Sequence, residues 1–439
     1  MEWTMAIVAA TFVAFAVVSR RLSRSALTGT MLFAAVGVVL GAEVLGLVDS
    51  AALVERSDLV GVVLTGTLVI VLFTDASAIN SSSWRDDVIP ARLLGIGLPL
   101  AIGLGWLLAV ALFGALDPWE AALLATMLAP TDAALGKAVV ANERVPRRIR
   151  QSLNIESGLN DGIALPLFVV FLEAAVAVEG SLAISEVVTT LLEQVGVAVV
   201  VGIAVGWVGA LAISWGRRSG AALGYWLEIS LVGLAVGAYA IATPLGGSGF
   251  IAAWVAGFVF GKRFMSGADD PLPEFAESLG DLLTMASFLV FGLAVGPVLF
   301  DLNAQVVIFG VLSLFAVRTI AVAIALLGSS MQWRSVLYIG WFGPRGLATI
   351  ILTIEIVEES ALDGASLIAD VALFTVALSV VLHGATAWWG SNAYADFVEA
   401  HPRRAALEES AEPTSTVRVP FRARQHPSSG RATQAGRLG

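Results

Sequence analysis

The sequence predicts an all-α, polytopic membrane protein. Three observations carry that prediction. Of 439 residues, 57% are hydrophobic and only 14% charged, too apolar for a soluble chain of this length. The apolar runs are continuous over about 20 residues, the length a helix needs to cross a bilayer. They do not alternate over about 10 residues, as the strands of a membrane barrel would. The chain has no cysteine, which excludes disulfides and thiolate metal sites. The net charge of −10 lies mostly in loops and tail, and no nucleic-acid partner is expected.

Hydropathy places thirteen spans at roughly 3–19, 27–47, 59–79, 92–115, 119–140, 152–178, 190–214, 221–243, 247–264, 278–299, 303–327, 335–357 and 366–389. The first run, Thr4–Val18, has no basic lead and no small-residue cleavage site. It therefore reads as a retained helix, not a signal peptide. A transmembrane domain over 1–394 is followed by a polar stretch, 395–439, rich in Pro, Ser and Arg and expected to be a disordered tail.

Loop charge sets the orientation. Alternate loops hold Arg20, Arg21 and Arg24; Arg85 and Arg92; Arg144, Arg147, Arg148 and Arg150; Arg217 and Arg218; Lys262 and Arg263; and Arg334. The opposite loops hold Arg56. The bias puts the N-terminus outside and the tail in the cytoplasm of a plasma-membrane protein, as an odd number of spans requires.

The fifth span contains Ala129-Pro130-Thr131-Asp132 and the twelfth Gly343-Pro344-Arg345-Gly346. Proline removes a donor and disfavours helix in the residue before it, so both spans are expected to break. With six spans, a linker span and six more, the two interruptions occupy matching places in halves of inverted orientation. Paired broken helices in inverted repeats point to a transport site near the midplane.

The third signal is the run Gln151–Phe168, QSLNIESGLNDGIALPLF, in the sixth span. A carboxylate at mid-bilayer costs about 2.5–3.5 kcal/mol on insertion scales, so each one there needs a reason. Asp75, Asp132, Glu156, Asp161 and Glu228 fall within spans, and Arg318 and Arg345 are the clear intramembrane cations. Glu173, Glu355 and Asp370 lie near span ends, and Lys137 near the inner end of its span, where its stem can snorkel. At helical spacing Ser157 and Asp161 share one patch and Glu156 and Asn160 the next. Asp132 would face the N-terminal end of a new half-helix, where negative charge is favoured, and Arg345 the opposite half. Thr131, unwound, would expose a carbonyl and a hydroxyl. Asp161 has no such structural task. An ionised carboxylate binds a cation and a protonated one does not, so cation and proton would exclude one another there.

The run IESGLNDGIALPLF resembles the E-S-x-x-N-D signature of NhaP-type sodium/proton antiporters, relatives of the sodium/hydrogen exchangers. Leu72-Phe73-Thr74-Asp75-Ala76 is similar to that family's acidic third-helix motif, and Ala129-Pro130-Thr131-Asp132 to its A-x-T-D-P break, with Ala133 where proline is usual. Gly247-Ser248-Gly249-Phe250-Ile251-Ala252 resembles its S-G-x-x-A entry to the ninth helix, and Gly343-Pro344-Arg345-Gly346 its G-x-R-G motif. Pro344 in the last motif and Thr74 before the acid are departures.

The resemblance implies exchange of a monovalent cation for protons by alternating access, with Na+ the expected ion and Li+ or K+ admitted. It makes Asp161 the shared carboxylate, with Ser157, Asp75 and the Thr131 carbonyl completing an oxygen shell for the transported ion. Asn160 would hold the unwound region, Glu156 would pair with Arg318, and Asp132 and Arg345 would neutralise half-helix ends. The N-D pair resembles the electroneutral branch. The fold implied is a homodimer whose core helices, about 92–178 and 303–389, move against the remaining helices. No resident cofactor is implied, and a role in pH homeostasis is expected. The alternative on this scaffold is a sodium-coupled symporter of an organic anion. An intramembrane aspartyl protease would need a G-x-G-D motif, whereas the chain offers Gly158-Leu159-Asn160-Asp161. It is read as a transporter, not an enzyme.

Overall fold

The computed structural model describes residues 2–22, 25–48, 57–78, 88–180, 184–264, 274–329, 331–358 and 362–401. These form helices and short connections, with no strand among the described residues. In chain order the helices are α1 (Glu2–Leu22), α2 (Gly29–Leu40), α3 (Ser57–Ser77), α4 (Val88–Leu112), α5 (Pro118–Met127), α6 (Ala133–Val140) and α7 (Arg147–Gly180). They continue with α8 (Ile184–Ser219), α9 (Gly224–Ala242), α10 (Gly249–Phe264), α11 (Glu274–Phe300), α12 (Ala304–Ala325), α13 (Trp333–Trp341), α14 (Leu347–Glu358) and α15 (Ala365–Ala400). Among the described residues, eight helical segments are long and apolar enough to cross a membrane, and α2 and much of α14 are shorter apolar helices.

The two proline-marked segments are interrupted. Residues 128–132 separate α5 from α6, and residues 342–346 separate α13 from α14. Pro130 and Pro344 each fall in a gap, where no intrahelical donor is needed. The first half-helix starts cleanly: Asp117 accepts from Trp119 N at 2.8 Å, Glu120 reaches back to Asp117 N at 2.9 Å, and Pro118 opens the first turn, a reciprocal N-terminal cap.

Two ends differ most from the hydropathy reading. The second segment is helical only to Leu40. Gly41 closes it on Gly37 and Val38, and the chain then turns through Gly46 at φ 61°. The last helix runs to Ala400, eleven residues past the expected span and into the stretch read as tail. Its added turns are polar but partnered: Tyr394 meets Ser335 at 2.7 Å, and Arg144 bonds Asp396 at 2.5 Å and Glu399 at 2.9 Å. Hydropathy measures the bilayer, not the helix. Residues 402–439 of the expected tail, together with Arg24, Arg56 and Arg85, lie outside the described residues.

Two helices carry a π turn, α4 at Leu93–Gly97 and α12 at Ser313–Val317. Such a turn inserts one residue and rotates the rest of the helix about its axis. Arg318 is the first residue after the second of them. The two helices pack together: Arg92 donates to Leu327 O at 2.9 Å, and Gly97 sits against Ala325.

Candidate functional site

The two interruptions cross one another. Asp132 N donates to Pro344 O at 2.8 Å. The Asp132 carboxylate then caps two helices at once, accepting from Leu135 N of α6 at 2.9 Å and from Leu347 N of α14 at 2.6 Å. One negative charge thus serves two positive helix ends. Arg345 answers from the other strand of the crossing: its guanidinium donates to the carbonyls of Ala129 and of Pro130, the latter at 2.7 Å. These carbonyls follow the C-terminal end of α5, where a cation is favoured. Arg345 is 1% exposed, so the bilayer-embedded guanidinium is held by backbone oxygens.

Two glycines make the crossing possible. A Cβ on Gly346 would land on the Asp132 carboxylate, and one on Gly343 would lie 3.0 Å from Thr131 Cγ2 and against the Arg318 side chain. Gly346→Ala is therefore expected to displace the double cap and to cost about 1–3 kcal/mol, as overpacking a tight site does. Thermal unfolding of the purified variant reads that loss, and an unchanged midpoint would show that Asp132 is not confined as described.

The α7 side of the site is built on helical spacing. Asn160 Nδ2 donates to Thr131 Oγ1 at 2.7 Å and to Thr131 O at 3.3 Å. Ser157, three residues earlier, meets the same Thr131 hydroxyl at 2.9 Å. Thr131 is fixed by two side chains of one helix face. Glu156 turns to the adjacent face and forms a bidentate pair with Arg318, whose second contact, Nη2 to Oε2, is 2.8 Å. Both residues are buried, and the fork geometry is the strong form of this interaction.

Asp161 and Asp75 are different. Both are partly buried and line one cavity with Thr131, Asp132, Gly346 and Thr349. Neither makes a hydrogen bond or an ion pair with a described residue. The charged neighbours of Asp161 are Asp132 and Asp75. Three carboxylates in one confined space repel one another and attract any small cation or proton that enters. Asp75 is placed by α10, which packs along α3. Gly257 and Gly261 lie directly on the backbone of Phe73 and Ser77, with no room for a Cβ, a small-x-x-x-small approach that brackets Asp75.

The structure thus brings Asp75, Thr131, Asp132, Ser157, Asn160 and Asp161 into one neighbourhood and sets Glu156, Arg318 and Arg345 around it. It also brings in residues that sequence reasoning missed. Ser379 of α15 accepts from Arg345 N at 2.7 Å and lies 3.0 Å from His383 Nδ1. Thr349 donates to Met127 O at 2.8 Å, and Glu120 accepts from Gly364 N at 2.7 Å, at the start of α15. Lys137 pairs with Asp281 of α11 in addition to extending toward solvent. Only the small-residue spacing of Gly257 and Gly261 was open to detection beforehand.

The sequence profile of the family described as sodium/hydrogen exchanger, transmembrane, matches residues 7–389. Similar curated proteins include a K(+)/H(+) antiporter NhaP2 of Shewanella sp. (strain ANA-3), 28% identical over 389 residues, covering 87% of this chain and 64% of the relative. Another is a K(+)/H(+) antiporter NhaP of Alkalimonas amylolytica, 28% identical over 299 residues, covering 65% of this chain and 49% of the relative. The chain thus spans less than two thirds of the length of these relatives. Among solved structures, the sodium proton antiporter MjNhaP1 of Methanocaldococcus jannaschii at pH 8 superposes with a TM-score of 0.71 at 21% identity, covering 89% of this chain and 99% of that one. That likeness establishes a shared fold. With its motifs in order and the family profile covering most of its length, this multi-pass chain belongs to the sodium/hydrogen exchanger family.

Proposed function

We propose that the protein exchanges a monovalent cation for protons across the membrane, the two competing for Asp161. One observation carries the reading: a carboxylate without a partner among the described residues, in a cavity whose other acids and hydroxyl oxygens supply what a small hard cation binds. Asp132 is occupied with two helix ends and Glu156 with Arg318, so neither is available for that task. Ser157, the Thr131 carbonyl and Asp75 are the proposed remaining ligands. Asn160 holds Thr131, and a neutral Asn beside a single Asp suits one proton for one cation.

The architecture proposed is thirteen spans in two inverted repeats. In support, each expected span overlaps a described helix or, at the fifth and twelfth, a pair, although α2 fills little more than half of the second. The π turns of α4 and α12 fall in the fourth and eleventh spans, which the repeat relates. A core of about 92–178 and 303–389, a homodimer and a cytoplasmic C-terminus complete the proposal, on family resemblance and loop charge. Relatives are named for K+ and the fold neighbour for sodium, so both ions are candidates. The relatives and the fold neighbour named above are all cation/proton antiporters, which does not favour the organic-anion symporter.

The test is a cation series in proteoliposomes with an imposed pH gradient, with and without a membrane potential. Proton flux dependent on Na+ or K+ and indifferent to the potential is expected. Absence of cation-dependent flux with every alkali cation sinks the reading. A second consequence is the pH dependence: a protonated Asp161 cannot hold a cation, so the KM for cation should rise as pH falls. A KM that is flat or falls toward acid would contradict competition.

A further inference from the structure

Lys137 lies on α6, one turn beyond Ala133 and Ala134, which line the Asp161 cavity. Its ammonium pairs with Asp281 on α11. The two side chains are 46% and 34% exposed, in contrast to the buried Glu156–Arg318 pair, so this pair sits at a rim and not in the interior. Glu277 lies one helical turn before Asp281, on the same face. Asp75, on the cavity wall, has Lys137, Asp132, Glu277 and Asp281 as its charged neighbours. One ammonium therefore lies between Asp281, its partner, and the Asp75 carboxylate on which its charge acts, and nothing in the exchange reading uses it.

We propose that Lys137 is a tethered competitor for the transported cation, parked on Asp281 and able to swing onto Asp75. An ammonium is a compact monovalent cation on a flexible four-carbon stem. It seeks the same carboxylate oxygens as an alkali ion and, being covalently attached, does so at high effective concentration. Asp281 sets the affinity of the path for cation by holding that competitor away from it. This rests on the exchange reading above.

A plain strut between α6 and α11 makes a different prediction, because cutting it from either end has the same effect. The competitor predicts opposite signs. The full chain is reconstituted in proteoliposomes, and the KM for Na+ and for K+ is measured for wild type, Lys137→Gln, Lys137→Arg, Asp281→Asn and the Gln/Asn double variant. Lys137→Gln should lower KM by about three- to tenfold, the scale of one nearby charge at intermediate dielectric. Lys137→Arg, which keeps the charge but not the compact shape, should fall between wild type and Lys137→Gln. Asp281→Asn should raise KM, because the released ammonium turns to Asp75. The double variant should follow Lys137→Gln, since no ammonium remains to relocate.

Equal signs in the two single variants, or no shift in either, overturn the proposal. So does a double variant that returns to the wild-type KM, which would mean that the two charges act only through their summed field. If Asp281→Asn does not fold, Lys137→Gln and the double variant decide together: both must lower KM, and a double variant at the wild-type value overturns the proposal. Wild-type vesicles that exchange no cation for protons would sink the exchange reading itself. Exchanging vesicles with unmoved KM values sink only this proposal.

Discussion

Asp161→Asn abolishes cation-dependent proton exchange and leaves the protein folded; that is the largest effect the site geometry predicts. Asn keeps the shape of Asp but neither ionises nor takes up a proton, so both halves of the exchange lose their carrier. The fold should tolerate the change, because Asp161 forms no hydrogen bond or ion pair with any described residue. Its charged neighbours are both acidic, and removing one of three like charges relieves repulsion. Thermal unfolding of Asp161→Asn should therefore match or exceed that of wild type while flux falls to the level of empty vesicles. Everted vesicles with a pH-sensitive dye read the flux. Wild-type dequenching on addition of Na+ or K+ in the variant would remove Asp161 from its role.

Arg318→Ala is expected to do the reverse, failing through the fold and not through affinity. Arg318 and Glu156 are 3% and 2% exposed and share a two-point contact. Deleting the guanidinium leaves a carboxylate with no counter-charge in the bilayer interior. Breaking a buried pair from one side costs about 3–5 kcal/mol, a large part of the stability of a typical domain. Glu156→Gln should lose less, because an amide still hydrogen-bonds the guanidinium, although the cation is then left without its partner. The double Glu156→Gln, Arg318→Met should recover much of the loss, since no buried charge is then stranded. The measurement is the yield of monodisperse protein in detergent and its unfolding midpoint. Single variants as stable as wild type would show that the pair is dispensable.

The same physics explains what could be read from the chain alone. Proline before Thr131 and before Arg345 announced the two interruptions, because proline acts through its own backbone and needs no partner. The burden of charge in an apolar span announced Glu156, Asp161, Arg318 and Arg345, because insertion cost is also a property of one residue. What could not be read were relations across the chain. Asp132 capping Leu347 joins residues 215 apart in sequence, and only the crossing of the two breaks brings them together. Ser379 and Asp281 look ordinary in their helices and gain meaning from Arg345 and Lys137 opposite. The end of α15 was misplaced for a related reason. Its polar last turns are stable because Tyr338, Arg144 and Ser335 meet them, and hydropathy does not see a partner.

The most direct test is to count protons released as cation binds. Purified protein in weakly buffered detergent solution, held at a pH where the site is protonated, is titrated with Na+ or K+ and the liberated acid is measured. About one proton per bound cation is predicted for wild type, and none for Asp161→Asn. Cation bound without proton release, or undiminished release from Asp161→Asn, would mean that the two ions do not share that carboxylate.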